Sequence, residues 1–460
     1  MSGKSTRALI TGKLGNLAIS IIDKNRGTNW AGSKAMEIDP DLISEFSGID
    51  PSKVLFITGT NGKSTVNNLI NHILRYNGYK VVSNVEGANL ITGVATALVK
   101  ASSLSGNVKA DYYVFETDER YLYKISEQLP CSNLLITNLQ KDQVQRNGDP
   151  DFIYRKIARV IDRFGMKLIL NGDEPRSCSL ADRADEAVFY GVEHHSEAFT
   201  KSDSFVTMPC PKCHSRIRID YFNNDGMGGF FCERCGYTNN NGAAEEGGIR
   251  EADYKITDVD FAGKKFRING VESSMPYELP YMLYNYAAAA AACKELAGIT
   301  EEQSAKALKS FRLLGGRIDS ITYKGKHINY MRFKQENPET LQNFINMIAE
   351  DKREKVVVIG FGTINDFEPH YINSFYAFDC DFTGLIRSNV KKYIFVTDTI
   401  AYDAANSFIY GGVDPSKVEV FPTSDEEEIL QAILLSGCDN IYLTIELHRF
   451  EHMKEFAQKG

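Results

Sequence analysis

Gly59-Thr60-Asn61-Gly62-Lys63-Ser64-Thr65 is the stretch on which the fold turns. Just before it, Lys53 to Thr58 (KVLFIT) is a short apolar run of β-formers, the pattern of a buried strand. Just after it, Val66, Leu69, Ile70, Ile73 and Leu74 recur with a helical period that Gly78 closes. A strand, a glycine-bearing turn and a helix in that order form a phosphate site. The glycines let backbone N–H groups come close to phosphate oxygens, and the helix N-terminus adds positive potential. Lys63 places a charge near the β- and γ-phosphates, and Ser64 or Thr65 reaches Mg²⁺. The spacing is shorter than GxxxxGK[ST], because position 57 is Ile rather than Gly. The bland alternative, a tight turn with an incidental lysine, does not account for the strand and helix on either side.

The same rhythm runs outward. Lys80 to Ser83, Tyr112 to Glu116, Asn133 to Thr137 and Lys167 to Leu170 read as strands, and Phe152 to Phe164 as a helix. Strands alternating with helices predict an α/β fold whose parallel sheet is covered on both faces. Before this block, residues 1–50 read as a loop-rich lead-in with a helix around Leu14 to Ile22. After it, Lys264 to Ile268 reads as a short strand, Asn285 to Ala297 as an alanine-rich helix, and 301–311 as another helix. Gly315-Gly316-Arg317 reads as a hinge. A second α/β block follows, with strands at 355–359, 392–396, 418–421 and 440–443 and helices at 338–349, 400–410 and 425–436. The expected domains are therefore a lead-in (1–50), a central nucleotide-binding domain (51–315) and a C-terminal α/β domain (316–460).

The central pattern breaks near Thr200. Cys210-Pro-Lys-Cys213 and Cys232-Glu-Arg-Cys235 lie in an inserted module of about 204–240. Two C-x₂-C knuckles bring four thiolates together, which suits tetrahedral Zn²⁺ and leaves no position open for catalysis. A structural Cys₄ ribbon that folds with its metal is expected. Cys131, Cys178, Cys293, Cys380 and Cys438 show no Cys–His arrangement and read as core residues, so the chain offers no glutaminase nucleophile.

Composition narrows the field. The 460 residues carry 52 Lys and Arg against 60 Asp and Glu, a net charge of −8, which argues against a nucleic-acid partner. No apolar run is long enough to span a bilayer, and the N-terminal residues do not read as a signal peptide. Nine cysteines, four of them in CxxC pairs, fit a reducing compartment and a metal rather than a disulfide framework.

The shortened loop resembles the TGTNGKST loop of Mur ligases and folylpolyglutamate synthases. The resemblance places Glu116 where that family keeps a Mg²⁺-binding glutamate, beside Ser64. It makes Thr137-Asn138-Leu139-Gln140-Lys141-Asp142-Gln143 the counterpart of a TNxxxDH stretch. Asn138 would then lie in the nucleotide site, while Gln143 replaces a histidine that helps hold a second metal. Asn285 matches an asparagine that contacts the nucleotide, and Arg317 an arginine that opens the C-terminal domain and reaches ATP. The competing readings are a strand-end charge for Glu116, a helix cap for Asn285 and a solvated hinge charge for Arg317.

With the Cys₄ insertion, the chain is similar more narrowly to the ligase subunits of lipid II isoglutaminyl synthases, whose partner is the glutaminase GatD. A C-terminal stretch of that family has its counterpart from Asn365 to Phe382, with Tyr376 and Phe378 where the family has tryptophans and with a longer loop. Asp366, then Asp379, would assist catalysis there, unless both merely cap a βα loop. The resemblance implies ATP-dependent amidation, through an acyl phosphate, of the α-carboxylate of D-isoglutamate in the lipid II stem peptide. ATP, Mg²⁺ and Zn²⁺ are the expected cofactors. A GatD-like glutamine amidotransferase is the expected partner, and the expected place is the cytoplasm at the inner face of the membrane, with only peripheral contact through the membrane-linked substrate. The alternatives are an amino-acid-adding Mur or folylpolyglutamate-type ligase, which needs no ammonia source, and a nucleotide-switched adaptor.

Overall fold

The computed structural model describes all residues except 23–28, 86–88, 143–147, 202–207, 240–251, 313–317, 332–336, 365–370, 373–376 and 460. The chain divides into two compact units. The first comprises 1–140, 147–200 and 208–314, and the second comprises 315–460 with 141–146 and 201–207.

The lead-in is more helical than its composition indicates. Helix α1 (Gly3–Ile22) is followed by α2 (Trp30–Ile38). Small residues make this possible. Gly32 packs so closely against α4 (Ile91–Ala101) that a Cβ there would stand 2.1 Å from the Thr92 carbonyl, and its N–H donates to Thr96 Oγ1. Glycine lowers local helix propensity but permits this close packing, so tertiary contact decides the outcome.

The central sheet has nine strands. Its first six are β1 (Val54–Thr58), β2 (Val81–Ser83), β3 (Tyr112–Glu116), β4 (Asn133–Ile136), β5 (Lys167–Asn171) and β6 (Ala187–Val192). A separate hairpin, β7 (Arg218–Asn224) and β8 (Met227–Phe231), belongs to the inserted module. Strands β9 (Tyr254–Asp260), β10 (Lys265–Ile268) and β11 (Val271–Ser274) complete the sheet. The order is β11-β10-β9-β6-β5-β4-β1-β3-β2, parallel from β2 through β9 and antiparallel for the last two. Strand β1 is buried along its whole length and sits centrally between β3 and β4.

Alternate residues of β1 face opposite cores. Leu55 and Ile57 pack with α3 (Lys63–Tyr76) and the alanine-rich helix, whereas Val54 and Phe56 pack with α4, α5 (Leu122–Gln128) and α6 (Pro150–Phe164). The alanine-rich helix, α7, spans Pro280–Ala297 rather than beginning at Asn285. Pro280 supplies the preset φ of a first helical turn, and Met282, Leu283 and Tyr284 are buried on the same core. Helix α8 (Glu301–Leu308) follows, with Thr300 and Gln303 forming a reciprocal capping box.

The second unit opens with a hairpin, β12 (Ile318–Tyr323) and β13 (Lys326–Met331), turned at Lys324-Gly325 with positive φ at both residues. Its remaining strands are β14 (Lys355–Gly360), β15 (Thr363–Ile364), β16 (Tyr371–Ile372), β17 (Val390–Val396), β18 (Val418–Val420) and β19 (Asn440–Thr444). The six-stranded sheet runs β12-β13-β19-β14-β17-β18, parallel apart from the first pair. Helices α9 (Pro338–Glu350) and α10 (Ile400–Tyr410) cover one face, and α11 (Glu426–Leu435) and α12 (Leu447–Lys459) cover the other. Among the described residues no helix is long and apolar enough to cross a membrane.

Candidate active site

The turn between β1 and α3 needs its glycines. Gly59 has φ +122° and Gly62 φ +88°. A Cβ at position 59 would lie 2.3 Å from Thr137 Oγ1, and one at 62 would lie 2.6 Å from Asn285 Oδ1. The segment after β4 shapes the turn. The Thr60 N–H donates to the Asn138 carbonyl at 2.8 Å, and the Asn61 N–H donates to Asn138 Oδ1 at 3.0 Å. Asn138 Nδ2 returns a bond to the Asn61 carbonyl at 3.0 Å. Asn138 thus spends both ends of its amide on the loop backbone. The first backbone bond inside α3 runs from the Val66 N–H to the Gly62 carbonyl, and Gly62 has no side chain to cap the helix. A helix N-terminus built in this way favours an anion.

Lys63 and Thr65 are buried, while Ser64 is exposed. The Lys63 ammonium folds back on its own loop, donating to the Gly59 carbonyl and, at 3.3 Å, to that of Thr60. It also pairs with Glu119 Oε1 at 2.8 Å, and both side chains are about nine-tenths buried. Glu116 ends β3, where the register sets it beside Ile57, two residues ahead of Gly59. Asn84, at the end of β2, accepts from the Glu116 N–H at 2.9 Å and donates to its carbonyl at 2.8 Å, while Asn89 Nδ2 stands 3.5 Å from Glu116 Oε1. Glu116 is therefore buried and anchored through its backbone at the C-terminal end of the sheet, on the strand next to the phosphate turn. The chemistry of Ser64 and Glu116, a hydroxyl and a carboxylate, suits a hard cation such as Mg²⁺.

Asn285 lies in the second turn of α7, with its amide oxygen against Gly62. It is therefore not the helix cap that its place in the sequence allows. Asp379 is half-buried in the second unit, where its carboxylate pairs with Lys141. Asp366, Arg317 and Gln143 lie outside the described residues.

The four cysteines come together. Cys210 and Cys235 Sγ stand 3.7 Å apart, Cys213 and Cys232 Sγ stand 3.5 Å apart, and all four lie within 4.8 Å of one another. Thiolates at about 2.3 Å from a tetrahedral metal stand about 3.8 Å apart, so the set fits such an ion. The two knuckles share one backbone pattern. The N–H of Cys210 donates to the Ser215 carbonyl and that of Cys232 to the Tyr237 carbonyl, five residues on in each case. The remaining five cysteines are buried singly.

Three participants escape a reading of the sequence. Glu119 is the buried partner of Lys63. Gln140 Oε1 accepts from Asn61 Nδ2–H at 2.8 Å. Asp173 accepts from the Val192 N–H, the Tyr284 hydroxyl and Asn239 Nδ2, all within 2.9 Å, and burial pushes its carboxyl up to about 6. The cluster of acids at Glu116-Thr117-Asp118-Glu119 carried a signal for the first. The other two depend on contacts between distant segments.

A phosphate turn at the central strand of a mostly parallel sheet, with an anchored carboxylate on the neighbouring strand, defines a Mur-ligase-type ATP-dependent ligase, and the comparisons agree. Residues 57–213 match the Mur ligase middle domain family and residues 335–446 the MurT ligase C-terminal family. The chain is 28% identical over 395 residues to the MurT subunit of the glutamine-hydrolyzing lipid II isoglutaminyl synthase of Staphylococcus aureus (strain COL), covering 86% of this chain and 85% of that one. Against the subunit of the same name from Streptococcus pneumoniae it is 24% identical over 466 residues, with 100% and 97% covered. Its fold is that of a pseudomurein peptide ligase type C from Methanothermus fervidus, with a TM-score of 0.67, 20% identity, and 92% and 81% of the two chains covered. The chain is thus similar, along nearly its whole length, to MurT subunits.

Proposed function

We propose that this chain catalyses ATP-dependent amidation of the α-carboxylate of D-isoglutamate in the lipid II stem peptide, giving D-isoglutamine, with ammonia delivered by a GatD-like glutamine amidotransferase. The observation that carries this reading is the phosphate turn in a chain aligned along nearly its whole length with subunits of that synthase. A carboxylate is a poor electrophile. Its oxygen attacks the γ-phosphorus of ATP, the bond to the bridging oxygen breaks, and ADP leaves. Ammonia then adds to the acyl phosphate carbon, phosphate departs, and a proton is released as the amide forms. In this scheme the backbone of Gly59 to Thr65 cradles the phosphates, and Lys63 offsets the charge that spreads over the transferring group. Ser64 and Glu116 hold Mg²⁺, which supplies further charge compensation. Asn138 fixes the loop, Asn285 lies against it, and Arg317 reaches the nucleotide from the C-terminal domain, taken to begin at 316. Asp366, or failing it Asp379, assists where ammonia meets the acyl phosphate. Cys210, Cys213, Cys232 and Cys235 bind Zn²⁺ as a structural ion.

Ammonia is mostly ammonium at neutral pH, so delivery beside the acyl phosphate raises the concentration of the reactive form. A lipid-linked acceptor places the reaction in the cytoplasm at the inner face of the membrane. The test is reconstitution of the purified chain with a GatD-type glutaminase, ATP, glutamine and lipid II. Amidated lipid II, detected by mass spectrometry and dependent on both proteins, is the expected result. ADP release driven by a free amino acid, with no partner and with a peptide bond rather than a primary amide as product, would instead favour an amino-acid-adding ligase.

A further inference from the structure

The Cys₄ module touches the phosphate loop through one side chain. Gln140 Nε2 donates to the carbonyl of Asp225, in the turn between β7 and β8, at 2.6 Å. Gln140 Oε1 accepts from Asn61 Nδ2 at 2.8 Å. Its backbone N–H donates to Thr60 Oγ1 at 3.0 Å, and that hydroxyl donates back to the Gln140 carbonyl at 3.2 Å. The side chain is buried. On the hairpin side, Gly226 has φ +76°, and a Cβ there would lie 2.4 Å from Gln140 Nε2. The hairpin approaches as closely as it does because that position is glycine.

A second strut leaves the other end of the module. Tyr237, which accepts the Cys232 N–H in the second knuckle, donates its hydroxyl to the Pro175 carbonyl at 2.8 Å. Asn239 Nδ2 bonds Asp173 at 2.9 Å. The next residue, Glu174, accepts from the Leu139 N–H at 3.2 Å. The module thus braces residues 139 and 140 from two directions, and 138–140 in turn set the backbone of Thr60 and Asn61.

We propose that Gln140 is a positioning residue that couples the metal-held fold of the ribbon to the phosphate loop, so that metal loading tightens the grip on the ATP phosphates. The proposal rests on the phosphate-loop reading. It separates a regulatory consequence of the ribbon from a purely architectural one, because a ribbon that only stabilises the domain would leave nucleotide affinity unchanged in the folded protein.

Gln140→Glu isolates the link. It keeps an acceptor oxygen for Asn61 and sets an oxygen, in place of a donor, against the Asp225 carbonyl. Binding of a non-hydrolysable ATP analogue is measured by calorimetry on the full chain, metal-loaded and after chelation, for wild type and Gln140→Glu, with metal content and far-ultraviolet circular dichroism confirming the fold. Stripping the metal from wild type should weaken binding about tenfold, Gln140→Glu should weaken it by a similar factor, and stripping should add little in the variant. In turnover the variant should raise the KM for ATP and keep kcat. Wild-type affinity in Gln140→Glu, or an equal further loss when it is stripped, would overturn the coupling. Should Gln140→Glu fail to fold, Gly226→Ala, which pushes the hairpin away, is read against the same expectations. Failure of metal-loaded wild type to bind the analogue at all is the separate result that removes the phosphate loop itself, and the coupling with it.

Discussion

At the residue scale the salient contact is the ion pair of Lys63 with Glu119. The lysine proposed to meet the γ-phosphate is held here by a buried carboxylate and two carbonyls of its own loop. Binding a triphosphate exchanges one set of negative partners for another, so the ammonium is desolvated before ATP arrives and little reorganisation is left for the reaction. The pair also means that Lys63→Ala is not a silent truncation. It strands the Glu119 carboxylate, at a cost on the order of 3 kcal/mol. Lys63→Ala should therefore lower ATP turnover by roughly a hundredfold and also lower the melting temperature. Adding Glu119→Gln should restore the melting temperature and not the turnover. Steady-state ADP release and thermal unfolding of the single and double variants check this, and a normal rate in Lys63→Ala would remove the loop from the chemistry.

Among the elements, the inserted hairpin β7–β8 is the one that cannot stand by itself. Among the described residues its buried apolar cluster is Cys210, Ile217, Phe230, Cys232 and Tyr237, two of them metal-ligand candidates, with Met208, Cys213 and Ile219 packed against it. So small a core does not offset the conformational entropy of the module, and an ion held by the four cysteines would supply the difference. Cys213→Ser should lose the metal and raise hydrogen exchange through 208–239, while β1, β3 and β4, each buried in the sheet, stay protected. One zinc retained per chain would show that the ligand set is wrong. Strands β1, β3, β4 and β5 were legible in the sequence because strands covered on both faces read as continuous apolar runs. Toward the edges β2, β10 and β18 were legible too, whereas β9, β11 and the β12–β13 hairpin were not. In β9, β11 and the β12–β13 hairpin, buried residues alternate with exposed ones over short spans, and only the Lys324-Gly325 turn marks the second hairpin. Of the α1–α2 pair only Leu14 to Ile22 reads as helix in the sequence, because the glycines weaken local helix propensity, whereas the effect of Gly32 in the fold is to admit α4 at short range.

On the scale of the whole molecule, the two units carry opposite responses to pH. In the first, burial raises the Asp173 carboxyl from its ordinary value to about 6. The folded form then binds that proton more tightly than the unfolded chain, so the stabilisation is full below about pH 4 and is lost as pH rises to about 6. In the second, the Arg353 guanidinium, Asn440 and Tyr442 hold Asp351 well below the usual carboxylate range. That contribution is full above about pH 4 and is lost as pH falls. Calorimetry from pH 3 to 7 should show two transitions with these opposed slopes. Asp173→Asn should flatten only the first and Asp351→Asn only the second, and a single transition indifferent to both changes would contradict the assignment. What the sequence determined by itself was everything encoded within a few neighbouring residues: the phosphate turn from Gly59 to Thr65, the two cysteine knuckles and the alternation of strand and helix. Each depends on short-range spacing, which a chain displays whether or not it is folded. The tertiary structure alone decided who meets whom across the sheet. Glu119 reaches Lys63 from 56 residues away and Gln140 reaches Asn61 from 79, because parallel strand order returns distant βα turns to the same end of the sheet, while Asp225 reaches Gln140 from 85 through the turn of the separate β7–β8 hairpin. No local pattern records those meetings, since loop closure and packing, not propensity, select them.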